Sequence, residues 1–591
     1  MNVGLALAAA LVIFALGYRV YSAYIARVFE ENDANRTPSV ELEDGVDYVP
    51  TKPLVLFGHH FATIAGAGPI IGPTLAMVFG FIPVWLWLVL GSVFVGAVHD
   101  FSALFTSMRE KGKSMAEVAE QTLGRAGFLL FIAFTIVMIL MVTSVFLKLT
   151  AVSLTSMVPL KLMHLSEDQR LLKTVVENGV VKARIGGIAS TSAIVITIIA
   201  PFIGYLAYRR KTTLAIVAPL AAAACLFSVF VGLKYPVSVS QDTWMYALAI
   251  YTLFAAGIPV WIVLQPRDFT NSFLLIVGII TLGLASMAAG FKGVTFTAPA
   301  WNVAEGNAKL GLIWPILFIT VACGACSGFH ALVAGGTSSK QITRESHARK
   351  IAYGGMLLEG LLAVGVLIAV GAGYAFKDYM KLVFPTDGSQ PNPPAAFAVA
   401  MGGLLHKAFG FPGAYGTVFG ILLIEGFLAT TLDTAVRLNR YLFEELWGVL
   451  FRNPPRILRS YVFNAALCVG AMLFLAFSKT VFALWPIFGS ANQLLAALTL
   501  IAVAAWLAKK GKRYLFAILP AAFMMATTIT SLVYLFGRQY LPKRDNLLMG
   551  ADAALVLLAL LVVGLAASVL MKMRRRVPAP QPAEELTPTE V

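Results

Sequence analysis

Apolar runs of about 20 residues, set off by short polar stretches, recur along almost the whole chain. A helix rises about 1.5 Å per residue, so a run of that length crosses the hydrocarbon core of a bilayer. Such runs fall at 3–18, 54–80, 83–108, 127–147, 186–208, 213–233, 244–264, 273–291, 311–337, 353–375, 413–434, 460–478, 482–508, 514–536 and 551–571, about fifteen spans in all. The piece 395–409 is shorter and contains glycine, and reads as interfacial or re-entrant. The run from Val3 to Leu16 has no preceding basic cluster and no small-residue cleavage site, which marks a retained helix and not a signal peptide. The longest connections are 19–53, 148–185, 376–412 and 435–459, and none suits an independent soluble domain. Residues 1–576 therefore read as one transmembrane domain, followed at 577–591 by a Pro-, Glu- and Thr-rich disordered tail on the cytoplasmic side.

Within three of these runs the helical pattern is interrupted. The second holds Gly58-His59-His60-Phe61-Ala62-Thr63-Ile64-Ala65-Gly66-Ala67-Gly68-Pro69 and then Gly72-Pro73. Proline removes a helix donor and glycine lowers the cost of leaving helical geometry, so a break is expected near 58–73. The ninth run carries Cys323-Gly324-Ala325-Cys326-Ser327-Gly328 and continues through His330 to Gly335-Gly336-Thr337-Ser338-Ser339, predicting a second break over 323–339. Laid on each other, Ala62, Ala65 and Gly66 match Ala331, Ala334 and Gly335, with Phe61 beside the site of His330. By the loop count these two runs cross in opposite directions, which points to an inverted-repeat transporter; chance likeness between Ala/Gly-rich helices is the plain alternative. A third kink is expected at 485–494, where Pro486 and Gly489 precede Asn492 and Gln493. Those two amides need partners inside the bundle, as packing devices or as substrate contacts.

Composition narrows the class. Of 591 residues 59% are hydrophobic and 13% charged, with a mean hydropathy of +0.80. A soluble chain carries about 25% charged residues, so a soluble enzyme, a disordered chain and a disulfide scaffold are excluded. The formal charge of +15 would suggest nucleic acid in a soluble protein. Here it follows the positive-inside rule, and no nucleic-acid partner is expected. Most of the Lys and Arg, among them Arg19, Arg109, Arg209, Arg267, Lys340, Arg437, Lys509 and Arg574, collect in alternate loops. That places the N-terminus outside and the C-terminus inside a cytoplasmic membrane.

An ionised group in the membrane interior costs roughly 2.5–3.5 kcal/mol on insertion scales, and each one present needs a reason. His59 and His60 precede the first break and His330 lies in the second, as substrate contacts, proton relays or donors to freed carbonyls. His99 and Asp100 lie near the inner end of the third run, open to proton coupling or to a cytoplasmic cation. Glu425 and Asp433 share one helix face, Asp433 could pair with Arg437 one turn on, and Glu425, without a local cation, is the stronger proton carrier, with Glu359 behind it. Cys323 and Cys326 form a CxxC that, in this setting, reads as two small apolar residues. No cofactor and no metal is expected. The competing class is a membrane redox protein using His59, His60 and His330 as haem or metal ligands.

The run Gly58 to Pro73, the His99-Asp100-Phe101 triplet before a basic loop, the Ser327 to Ser339 stretch and the Gly489 to Leu494 stretch together resemble the carbon starvation protein CstA family across the membrane region. The resemblance implies an all-α polytopic transporter with a LeuT-like inverted-repeat core and discontinuous helices. It also implies uptake of pyruvate or peptides under nutrient limitation, proton coupling, and a small accessory protein. Helix N-termini at the breaks suit a carboxylate, so Gly66, Gly68, Thr337 and Ser338 join His59, His60, His330, Asn492 and Gln493 as candidate substrate residues. Glu425, Asp433, Asp100, His99 and Glu359 are the candidates for the coupling proton. Sodium stays open, since carbonyls and hydroxyls at a break also bind Na⁺.

Overall fold

The computed structural model describes residues 1–576 apart from 46, 164, 170, 178, 211, 260 and 261. The tail expected at 577–591 lies outside the described residues. Among those described, twelve helices are long and apolar enough to cross a membrane, or thirteen when the bent pair Pro53–Ile64 and Gly68–Phe79 counts as one span. That is fewer than the fifteen apolar runs, and the shortfall has a physical cause. The run at 244–264 forms a helix of only 15 residues, Gln241–Ala255. The run at 311–337 is divided between two eight-residue helices, Ile313–Thr320 and Phe329–Gly336. Hydropathy sums across a break that backbone geometry does not cross.

The helices arrange as a core and a shell. In its most apolar stretch Val481–Lys509 is 94% buried, whereas Ala215–Lys234 and Asn546–Ser568 are each 28% buried. Arg349–Ala372 and Gly413–Leu450 join the first as central helices. Their buried faces are rich in Ala, Gly, Ser and Thr, which allow the close backbone approach that replaces the hydrophobic effect inside lipid. The segment 395–409 belongs to a 17-residue helix, Pro393–Phe409, which folds back on Gly413–Leu450 and is buried along most of its length.

Val481–Lys509 runs as one helix through Pro486, so the third expected interruption is not a break. Pro486 falls in the second turn, where its ring forfeits the single bond to the Phe482 carbonyl and the helix continues on either side. Between Arg125–Leu154 and Ile185–Gly204 the connection folds into a small antiparallel sheet in which Val180–Ala183 pairs with both Val158–Pro159 and Thr174–Glu177.

Candidate functional site

Two interrupted segments build the centre of the molecule. The first leaves helical geometry at Ala65 (φ −73°, ψ 81°) and restarts as Gly68–Ala76. Pro69 stands in the restarting turn, where a missing N–H costs nothing. The second stops at Thr320 and resumes at Phe329. Pro53–Ile64 packs against Phe329–Gly336, and Gly68–Ala76 against Ile313–Thr320, so the two segments lie side by side and antiparallel. The breaks touch closely enough to require glycine: a Cβ at Gly68 would stand 2.3 Å from the Cys323 Cβ, and one at Gly328 2.3 Å from the Asn492 carbonyl oxygen. Gly66 faces Thr431 and Phe146 across the same space.

Backbone groups freed by the second break are satisfied from Val481–Lys509. The Asn492 side-chain oxygen accepts from the Phe329 N–H at 3.1 Å and the Ser327 hydroxyl at 3.2 Å, while its carbonyl accepts from the Gly328 N–H at 3.2 Å. Gln493 donates to the Phe318 carbonyl at 2.7 Å and Trp485 to that of Thr320 at 3.1 Å. An uninterrupted helix thus holds an interrupted one open, and Asn492 and Gln493 act on backbone in this state.

Beside the breaks lies a continuous run of buried ionisable groups. Asp100 accepts from two imidazoles, His99 Nδ1 at 2.7 Å and His330 Nδ1 at 2.8 Å. The other nitrogen of His330 is 3.2 Å from Glu359 Oε2. His330 is 1% exposed, and His99, Asp100 and Glu359 are 0%. His60, equally buried, bonds Ser338 at 2.8 Å, and the neighbouring Ser339 accepts from Ser107 at 2.9 Å. Asp100 therefore takes histidines and not a cytoplasmic Lys or Arg. His59 and His60 part company: His59 is exposed on the helix surface, as the 100° step between neighbours dictates. Thr337 is half-buried at the end of Phe329–Gly336. Both His330 nitrogens face carboxylates, Asp100 through a hydrogen bond and Glu359 as a close approach. Among the described residues, no group of three His, Cys, Asp or Glu is set to hold a metal ion.

A second buried polar group lies on a different face of Gly413–Leu450. Asp433 pairs with Arg267 at 2.9 Å and accepts from the Tyr251 hydroxyl, also at 2.9 Å. Arg267 also donates to the Tyr251 oxygen at 2.7 Å. Arg437, the partner expected for Asp433, instead donates to the Ile258 carbonyl at 3.0 Å. Neither Arg267 nor Tyr251 stood out in the sequence. Hydropathy puts Arg267 in a loop, but it lies in the helix Leu264–Phe291 and is 4% exposed. Its isolation among loops that elsewhere hold several cations each was the available signal.

Comparison with known proteins comes to the same place. The family described as Carbon starvation protein CstA matches residues 2–387 and 375–531. A protein of Bacillus subtilis (strain 168) named Peptide transporter CstA is 33% identical, covering 89% of this chain and 89% of its own length. In Escherichia coli (strain K12), a Peptide transporter CstA is 32% identical over 88% of this chain and 80% of its own. The Pyruvate/proton symporter BtsT of the same organism is 29% identical, again over 88% and 80%. Among solved structures, a manganese transporter of Eremococcus coleocola aligns with 90% of this chain and 99% of its own at a TM-score of 0.45 and 13% identity. With a helix bundle built to cross a membrane and relatives that are transporters and not enzymes, the chain belongs to the carbon starvation protein CstA family.

Proposed function

We propose that this transporter imports a small carboxylate, pyruvate or a short peptide, across the cytoplasmic membrane together with a proton. The observation that carries the reading is His330. It rides on the second broken segment, with Asp100 at 2.8 Å and Glu359 at 3.2 Å on its two nitrogens. With the imidazole cationic and one carboxylate protonated, the three groups are neutral together. Release of one proton leaves a net negative charge in a dry site, at a cost that favours rearrangement. Asp100 stands on Ala97–Arg109 and Glu359 on Gly354–Ala372, so that rearrangement shifts the broken segment against two other helices. His60 ties the first segment to the end of the second through Ser338, which lets one protonation event reach both breaks.

The substrate carboxylate meets the restarting helix at Gly66 and Gly68 and the hydroxyls of Thr337 and Ser338 once the breaks part, where free N–H groups favour an anion. The names of the relatives support both substrate classes. The N-out, C-in orientation, service during carbon starvation, a small accessory protein and a LeuT-like core belong to the same reading.

The test is uptake of labelled pyruvate and labelled alanyl-alanine into proteoliposomes under an imposed pH gradient, with a sodium gradient as control. Uptake that follows the pH gradient is expected. Uptake that follows sodium alone would replace the proton in this scheme, and no uptake of either compound under either gradient would overturn it.

A further inference from the structure

On the far side of Gly413–Leu450 from the breaks is a cavity of about 190 Å³, bounded by the helices Ile185–Gly204, Gln241–Ala255, Leu264–Phe291 and Gly413–Leu450. Glu425 lines it, 4% exposed, and makes no hydrogen bond or ion pair among the described residues. A buried carboxylate without a partner is costly, and such a group aimed into a cavity marks a place for a ligand. Arg267 lines the same cavity, but its guanidinium already faces Asp433 at 2.9 Å, Asp268 at 3.5 Å and the Tyr251 oxygen at 2.7 Å. Three carboxylates therefore surround one engaged cation, and Arg437 is turned to the Ile258 carbonyl. With Arg267 held by Asp433 and Asp268, Glu425 is left open to a donor from outside, and an ammonium supplies one. Trp244 adds an aromatic ring to the wall, which also favours a cation, while the Tyr251 ring already carries the Arg267 guanidinium at 5.5 Å. At the mouth Ile198 is 71% and Ile194 37% exposed, so the rim is apolar.

We propose that this cavity binds a primary ammonium group with a small apolar substituent, the ammonium seated on Glu425. Two sources share that chemistry, the free amino end of a short peptide and the ethanolamine headgroup of a lipid. The site is separate from the His330 group, and its occupancy is measurable with no gradient, so it does not depend on the transport reading. If a peptide is the ligand, the site favours peptides over pyruvate, which has no cation; that extension does rest on the transport reading.

The experiment is calorimetric binding of alanyl-alanine and of N-acetyl-alanyl-alanine, which lacks the ammonium. It uses the full chain in nanodiscs of phosphatidylcholine and phosphatidylglycerol. The free dipeptide is expected to bind at least ten-fold more tightly, and Glu425→Gln to abolish that preference. Ala193→Leu, which narrows the cavity from its rim and leaves every charge in place, is expected to weaken the free dipeptide at least ten-fold even if Glu425→Gln fails to fold. If no dipeptide binds, phosphatidylethanolamine that raises the melting temperature of the unmodified protein but not of a variant assigns the ammonium to lipid. Equal binding of the two dipeptides, a preference that survives both variants, or no response to either amine would overturn the proposal. Dipeptide binding with no uptake of pyruvate or dipeptide would leave this site standing and remove the transport reading instead.

Discussion

Glu359→Gln separates the proton from the substrate. Gln keeps the shape of the side chain and removes the charge that faces His330. At the 3.2 Å between His330 Nε2 and Glu359 Oε2, that charge is worth on the order of 5 kcal/mol at an effective dielectric of about 20. Desolvation of both groups offsets part of it. The remainder still exceeds the free energy of a one-unit pH step, about 1.4 kcal/mol per proton or a ten-fold concentration ratio. With the membrane potential clamped at zero, one-proton coupling therefore drives about ten-fold accumulation of substrate in proteoliposomes under a one-unit gradient. In Glu359→Gln the accumulation ratio should fall to about one, while exchange of labelled for unlabelled substrate across the same vesicles continues, because exchange moves no net proton. A variant that still accumulates substrate ten-fold would show that Glu359 does not carry the coupling proton. A variant that loses exchange as well would place Glu359 in the scaffold.

Other predictions follow from contacts with equally plain geometry. Asn492→Ala removes the acceptor of the buried Phe329 N–H and Ser327 hydroxyl; a loss of about 1–3 kcal/mol should appear as a lower melting temperature in detergent, and an unchanged one would refute its capping role. Gly68→Ala forces a methyl into Cys323 and should cut uptake at least ten-fold, with partial recovery in the double variant Gly68→Ala, Cys323→Gly. No recovery would mean that the two breaks do not press on each other as described. Glu345, 2% exposed, holds Arg109 at 2.6 and 2.8 Å and also accepts from Asn32 and Asn35, which closes one end of the bundle. Glu345→Gln should speed maleimide labelling of a cysteine placed at buried Ser107 several-fold, and an unchanged rate would argue against a latch there.

The parts legible in sequence were those that depend on neighbours along the chain. Hydropathy is summed over about 20 adjacent residues, so the membrane class and most span positions can be read directly. Helix breakers are also local, and Gly66, Gly68, Pro69 and the Cys323 to Gly328 stretch mark both interruptions. Proline alone misled at Pro486, where one forfeited backbone bond does not end a helix packed on nearly every side. Ionisable residues in apolar runs were visible as oddities, and Asp100, His330 and Glu359 were singled out separately. Their union was not visible. Asp100 and His330 are 230 positions apart, and only the packing of three helices decides which carboxylate meets which imidazole. The same holds for Asp433: a helical repeat offered Arg437, yet the tertiary fold brought up Arg267 from a segment that hydropathy had placed in a loop. A single charge at the end of an apolar run is cheap in water and costly in lipid, and its surroundings are set by the helices packed against it, which no local window contains.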